Sequence, residues 1–320
     1  MATDERLNSL LDTLLHELAH VRNTDSCHSW QVAAIDRQVA RASKRMQFPS
    51  INLADSTMSS FINFNSSRRD ISLSLPDDIV SNARLFIRTA FEKYAKTVDS
   101  FCIQEVLLYD HFLDLWRFGP GNSYGITGSH AVYKVKSVFT CTSRALPHVK
   151  RLRQRNPYLN SFDAAKGLGV RVVKGSKLGT VRKNQETDRT IATEPLGNMC
   201  LQLAAGQYLS NVLKLLGVDI ESQQSQNRFL AWAGSKFGDL ATIDLKLASD
   251  CISSPLVRTL MPTEWYFLLS DIRSPQISIC GNWHDLNMFS TMGNGFTFPL
   301  MTLILSSLIY ANSLYYSNNR

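Results

Sequence analysis

Three short segments, in order along the chain, carry residue types suited to handling a nucleoside triphosphate. The first is Val181-Arg182-Lys183-Asn184-Gln185-Glu186-Thr187-Asp188-Arg189, running on to Glu194-Pro195. Lys and Arg that close together on a strand–turn element can grip phosphates, with Arg giving planar, two-pronged contacts. The second is Ala241-Thr242-Ile243-Asp244-Leu245-Lys246-Leu247-Ala248-Ser249-Asp250. An apolar strand ending on Asp244 would offer a hard carboxylate at a sheet edge, the kind of ligand magnesium prefers. The third is Ser290-Thr291-Met292-Gly293-Asn294-Gly295-Phe296-Thr297, a glycine loop whose backbone can approach a sugar or base closely. Each has a plain alternative as a solvated basic face, a helix cap or a simple turn. Together they make a cation clamp, a metal carboxylate and a nucleotide-fitting loop, the requirements of nucleotidyl transfer.

Two further patterns suggest other chemistry. His16-Glu17-Leu18-Ala19-His20 has the spacing of a zinc peptidase helix, with Glu17 as general base. The position that would supply a third histidine is Ser26, and both histidines lie opposite a stripe of leucines, so a solvated helix face is the expectation. Gly121-Asn122-Ser123-Tyr124-Gly125 matches the Gly-x-Ser-x-Gly elbow of serine hydrolases. That elbow needs a strand before and a helix after; Pro120 and Ile126-Thr127-Gly128-Ser129 supply neither, which predicts a flexible turn.

Charge is unevenly placed. Residues 131–190 hold 14 Lys and Arg against three acids, a net of +11, while the whole chain of 320 residues is only +7. Such a focus suggests a polyanionic partner, nucleic acid first. An apolar fraction of 44% excludes disorder and collagen. Six scattered cysteines without a Cys-x-x-Cys pair, and a polar start at Met1-Ala2-Thr3-Asp4-Glu5-Arg6, read as reduced thiols in a cytosol with no secretory signal and no zinc cage.

The elements that would position these residues mix helices and strands without a regular βαβ beat, which predicts an α+β protein. Leu7 to Leu18 form one apolar helix face, residues 51–69 read as a Ser/Asn-rich loop, and Pro76-Asp77-Asp78 opens a helix. Helix is expected near Arg144–Arg155 and from Gln202 to Leu216, with strands around Val170–Val173, Leu178–Val181 and Leu240–Leu245. Gln276–Cys280 and Asn287–Phe289 flank Gly281-Asn282 like a hairpin. The apolar run from Phe298 to Tyr316 contains Thr302, Ser306, Ser307, Asn312 and Ser313, so a buried core helix is expected rather than a membrane anchor.

The strings VRKNQETDRTIATEPLGNM, LLGVDIESQQSQNR, GDLATIDLKLASDCIS and FSTMGNGFTF, with weaker similarity through TSRALPHVKRLR, resemble the replicase β subunits of the single-stranded RNA bacteriophages, the leviviruses. The likeness runs from about residue 140 to the end. It implies an RNA-dependent RNA polymerase with a right-hand fold, here an N-terminal and outer fingers region (1–130), a basic fingers region (131–235) and a partial palm (236–320), with no thumb. By this resemblance Lys183 and Arg189 contact the incoming triphosphate, Asp244 is a catalytic, metal-binding aspartate, and Asp250 lies near the ribose. Gly293, Asn294 and Thr297 position template and nucleotide, while Glu194 and Ser290 belong to the same strings. Lys150, Arg151, Arg153 and Arg155 would meet template phosphates. The implied cofactor is Mg2+ in a two-metal site. The implied partners are single-stranded RNA, nucleoside triphosphates, two host elongation factors and a ribosomal protein, in the cytoplasm of an infected bacterium and away from membranes.

Three departures qualify the likeness. Arg182 stands where the family reads proline, and Pro299 and Met301 replace glutamates after the third segment. The family's Tyr-Gly-Asp-Asp hairpin is expected just past Arg320; the only Asp-Asp pair, Asp77-Asp78, sits at a helix start. The chain is therefore expected to be a fragment, inactive alone. A non-catalytic RNA-binding protein and, more distantly, a metallopeptidase are the competing readings.

Overall fold

A computed structural model describes residues 28–45, 53–101, 107–126, 128, 130–157, 159, 169–183, 188–243, 245 and 247–318, together with 13, 16, 17, 20 and 22. In chain order the elements are α1 (Ser29–Arg45), α2 (Leu53–Ser67), α3 (Asp77–Val98), α4 (Tyr109–Asp114), α5 (Ala131–Val135), β1 (Phe139–Cys141), α6 (Leu146–Arg155), β2 (Val170–Val172), β3 (Gly175–Arg182) and β4 (Asp188–Thr193). They continue as α7 (Leu196–Leu215), α8 (Gln224–Phe237), α9 (Ser254–Leu260), α10 (Thr263–Ile272), β5 (Gln276–Ile279), β6 (Asn282–Asp285) and α11 (Thr297–Asn318). The mixture is α+β, as the pattern of elements predicts.

The chain divides into two compact units. One comprises residues 1–63 and 180–190; the other comprises 64–179 and 191–320. The first holds α1, most of α2 and the end of the β3–β4 hairpin, and within it Arg22 donates to Asp36 at 2.8 Å.

The second unit is built around α7, which is buried on nearly every side. Its apolar spacing does not mark one stripe because it has neighbours all round: α3, α4, α6, α10, α11 and β1 pack on it. Helix α3 shows the opposite pattern, burying Ala83, Ile87, Ala90, Phe91, Tyr94 and Ala95 along one face. Pro76 precedes its first turn, where Asp77 and Asp78 favour the helix dipole. Tyr208 of α7 meets Trp265 and Tyr94 with ring centroids 4.7 Å apart in each case, forming the aromatic centre of the core. Buried amides tie the layers together. Asn198 accepts from the Thr142 amide at 2.8 Å and donates to the Ile272 carbonyl at 2.9 Å.

Strands β1 and β2 pair in parallel, and a four-stranded sheet runs β4-β3-β5-β6. Strands β3 and β5 are parallel, with Gly175 opposite Gln276; β5 and β6 are antiparallel. Their turn, Cys280-Gly281, has φ of 49° and 89°, the left-handed pair a tight hairpin needs.

Three expectations about elements are corrected. Residues 53–67 form helix α2 rather than a loop: Ala54, Met58, Phe61 and Asn65 sit three and four apart on its less exposed side, and the serines occupy the other positions. The hairpin's second strand is Asn282–Asp285, not Asn287–Phe289: it starts directly after the Cys280-Gly281 turn, with Asn282 opposite Ile279 and Asp285 opposite Gln276. Residues 240–243 and 245 are irregular rather than a strand; Leu240, Ile243 and Leu245 are exposed, and no neighbouring strand pairs with them among the described residues. Helix α11 buries Leu300, Leu303, Ile304, Ser307 and Ala311 against the core, while Phe298, Ile309, Tyr310 and Tyr316 remain exposed. It is long and apolar enough to cross a membrane, yet it packs on α3 and α7.

Candidate nucleotide-handling site

The glycine loop is the best-defined part. Its backbone is pressed onto two elements from far upstream. The Ala192 amide of β4 donates to the Met292 carbonyl at 2.8 Å, and the Gly295 amide donates to the Gln202 Oε1 of α7 at 3.3 Å. A Cβ on Gly293 would overlap the Ala192 carbonyl, and Gly293 holds φ of 109°. A Cβ on Gly206 would overlap the Gly295 carbonyl, so the loop lies directly on α7. Asn294 and Thr297 are buried and spend their side chains inside the loop. Asn294 Oδ1 accepts from the Phe296 amide at 3.0 Å, and Thr297 Oγ1 donates to the Thr291 carbonyl at 2.9 Å. These bonds set the start of α11 and fix the loop's shape. Ser290 and Thr291 are buried too, and neither hydroxyl has a hydrogen-bond partner among the described residues.

Ala192 lies three residues beyond Arg189 in β4. In the first unit, Arg182 pairs with Asp188 at 3.0 Å across the β3–β4 turn, and the side chains of Lys183 and Arg189 are exposed. The ion pair joins the two strands of the hairpin, and neither Lys183 nor Arg189 has an ion pair among the described residues.

Asp244 lies outside the described residues. Asp250 ends a tight turn in which its amide donates to the Leu247 carbonyl at 3.0 Å; Leu247 itself has φ of 52°. Burial raises the Asp250 carboxyl above its ordinary pKa, with a bond from Ser249 Oγ opposing the shift. Among the described residues no three His, Cys, Asp or Glu side chains gather to hold a metal ion. His16, Glu17 and His20 are helical and exposed.

The basic helix α6 is less free than its sequence suggests. Arg155 makes a two-pronged pair with Asp114, donating from Nε to Oδ1 at 3.0 Å and from Nη2 to Oδ2 at 2.7 Å, and also reaches Asp110 at 3.2 Å. Arg151 lies 3.7 Å from Asp110, and Arg153 sits 5.5 Å from the Phe139 ring centre. Only Lys150 of the four is an exposed cation without an ion pair among the described residues. On the expectation that α6 meets template phosphates, Lys150→Ala should reduce the salt dependence of RNA binding by about one counterion. Arg155→Ala should instead lower the melting temperature and leave that slope unchanged; titrations at several salt concentrations separate the two.

Two arrangements escape sequence reasoning: the surroundings of Glu194, which the first segment already contains, and a chain of rings around His148. Glu194 is wholly buried and accepts from Ser274 Oγ at 2.5 Å. Desolvation pushes its pKa up from 4.5 to about 6 against hydrogen bonds from Ser274 and Gln202 and the nearby Arg273 charge. Arg273, desolvated in turn to about 10, donates to the Leu286 and Met288 carbonyls at 2.7 and 2.8 Å. The Glu194 carbonyl also accepts from the Tyr124 amide at 2.9 Å, and Tyr124 bridges to Pro195. The Gly121–Gly125 turn is thus anchored rather than flexible, with Ser123 buried. The second feature is a relay: Tyr109 Oη lies 2.6 Å from His148 Nδ1, and His148 Nε2 lies 3.4 Å from Asp271.

Residues 71–318 match the family model for the RNA replicase β-chain. Among curated relatives, the RNA-directed RNA polymerase subunit beta of Enterobacteria phage SP is 46% identical over 157 residues, which is 47% of this chain and 27% of that one. The polymerase beta chain of Escherichia phage MS2 is 43% identical over 148 residues (46% and 27%). That of Escherichia virus Qbeta is 34% identical over 250 residues (72% and 40%). The chain spans between about a quarter and two fifths of the length of these relatives. With its glycine loop seated on β4 and α7 and most of its length matched by the family model, the chain belongs to the RNA replicase β-chain family.

Proposed function

We propose that this chain supplies the nucleotide- and template-handling part of an RNA-directed RNA polymerase that copies single-stranded RNA. The observation that carries the reading is the seating of the Met292–Gly295 loop on β4, the strand that also bears Arg189. Segments separated by about a hundred residues of chain are thereby joined. In this reading Lys183 and Arg189 neutralise charge on the triphosphate, where one preorganised cation contributes several kcal/mol of barrier lowering. Gly293, held by Asn294 and Thr297, lets the backbone approach sugar or base, and Asp250 lies by the ribose.

Asp244 is a hard oxygen donor that suits Mg2+. When bound, the ion would polarise the attacking 3′-hydroxyl and steady the leaving pyrophosphate. In the same reading the chain alone binds nucleotide without completing transfer. The division into outer fingers, basic fingers and partial palm, the host translation proteins as partners and the bacterial cytoplasm as location belong to the same proposal.

Nucleotide titration of the purified chain with Mg2+ tests this. Wild-type chain should bind a nucleoside triphosphate, and Lys183→Ala with Arg189→Ala should raise Kd about tenfold. Unchanged affinity in that variant would remove the clamp. Extension of a primed template by the chain alone would contradict the proposed lack of transfer.

A further inference from the structure

Helix α8 presents two unlike faces. Leu230 and Ser235, with Asn227, look onto Leu240, Thr242 and Ile243 across a groove of about 470 Å3. A Cβ on Gly234 would meet the Leu240 side chain and carbonyl, so this face of the helix rests on the segment leading to Asp244. The other face holds Arg228, Trp232 and Lys236, four residues apart and therefore in one row, with Phe229 beside them. All four are exposed, Phe229 at 61% and Trp232 at 53%.

The row is organised rather than merely apolar. Phe229 and Trp232 have ring centroids 5.8 Å apart with planes 34° from each other. Lys236 Nζ lies 5.1 Å from the Trp232 ring centre and 5.4 Å from that of Phe237, itself 64% exposed. Helix α8 contains no acid, and neither Arg228 nor Lys236 has an ion pair among the described residues. One cation, Lys236, therefore stands over the open indole, and a second, Arg228, lies one helical turn before it in the same row.

This arrangement selects among occupants. A second protein surface covering Trp232 would desolvate two flanking cations that have no acid on the helix to pair with, and uncompensated burial of charge is costly. Unpaired RNA meets both demands at once, since bases stack on the rings and phosphates meet the ammonium and guanidinium. We infer that the outward face of α8, through Phe229, Trp232, Arg228 and Lys236, is a stacking site for unpaired bases of single-stranded RNA. It reads no sequence, because every base offers a π-face. The inference rests on the polymerase reading above and adds to it a strand-holding surface on the helix that precedes Asp244.

The test uses the whole chain and a fluorescein-labelled oligouridylate of 12 nucleotides, with nucleoside triphosphate binding measured in parallel. Trp232→Ala should weaken oligouridylate binding about tenfold, and Trp232→Phe should restore most of it. Lys236→Gln should lower the salt slope by about one. Nucleotide binding should be unchanged in all three. These residues are exposed, so circular dichroism should show each variant folded. Oligouridylate affinity within twofold of wild type in Trp232→Ala would overturn the inference and leave the polymerase reading intact. A change of oligomeric state without a change in RNA affinity would overturn it in favour of a protein interface. A wild-type chain that binds neither oligouridylate nor nucleotide would sink both readings together.

Discussion

Gly293→Ala should unfold the nucleotide loop at a cost of about 3 kcal/mol and abolish measurable nucleotide binding. Two independent effects add. At φ of 109° a residue with a Cβ is strained, and the new methyl would also overlap the Ala192 carbonyl. Backbone strain and overpacking each cost about 1–3 kcal/mol. Neither can relax cheaply, because Ala192 is in a strand and bonded to Met292. Gly121→Ala is the control: no atom lies within 4 Å of its Cβ position, and its melt should match wild type. Urea unfolding of both variants gives the comparison. A Gly293→Ala protein as stable as Gly121→Ala would mean that the loop does not lie against β4.

The second large effect concerns Glu194. Its folded pKa of about 6 exceeds the ordinary 4.5, so the folded state holds this proton more tightly than the unfolded state. The contribution to stability is then fully present below pH 4.5 and is lost as pH rises through 6. The difference of 1.5 units amounts to about 2 kcal/mol. Glu194→Gln should flatten this part of the pH–stability curve while keeping a hydrogen-bonding partner for Ser274. Denaturant melts at pH 4.5, 5.2, 6 and 7 check it. A slope that survives in the Gln variant would assign the titration to another group.

How much of this was readable beforehand depended on the range of the interactions. Helix α3 shows its 3.6-residue stripe because only one face is covered, and α11 announced itself by its apolar run. Helix α2 has the serine and asparagine content of a loop, although its buried positions Phe61 and Asn65 keep helical spacing. The run from Leu240 to Leu245 has strand composition, but composition cannot supply a neighbouring strand.

The site divides the same way. The three ordered segments carry their chemistry locally and can be found without coordinates. The roles of Asn294 and Thr297 as internal braces become visible only once the loop is folded. Ser274 is 80 residues from Glu194, and Asp114 is 41 from Arg155. No local pattern connects such partners, so the burial of Glu194 and the pairing of Arg155 are visible only in the folded chain.

The central proposal is that residues 181–193 and residues 289–298 both take part in handling a nucleoside triphosphate. Photocrosslinking answers it most directly: the whole chain is irradiated with 8-azido-ATP and Mg2+, and labelled peptides are mapped by mass spectrometry. The account predicts label within residues 181–193 and 289–298, lost when unmodified nucleoside triphosphate is added in excess. Label confined to α6, or label that excess nucleotide fails to displace, would contradict it.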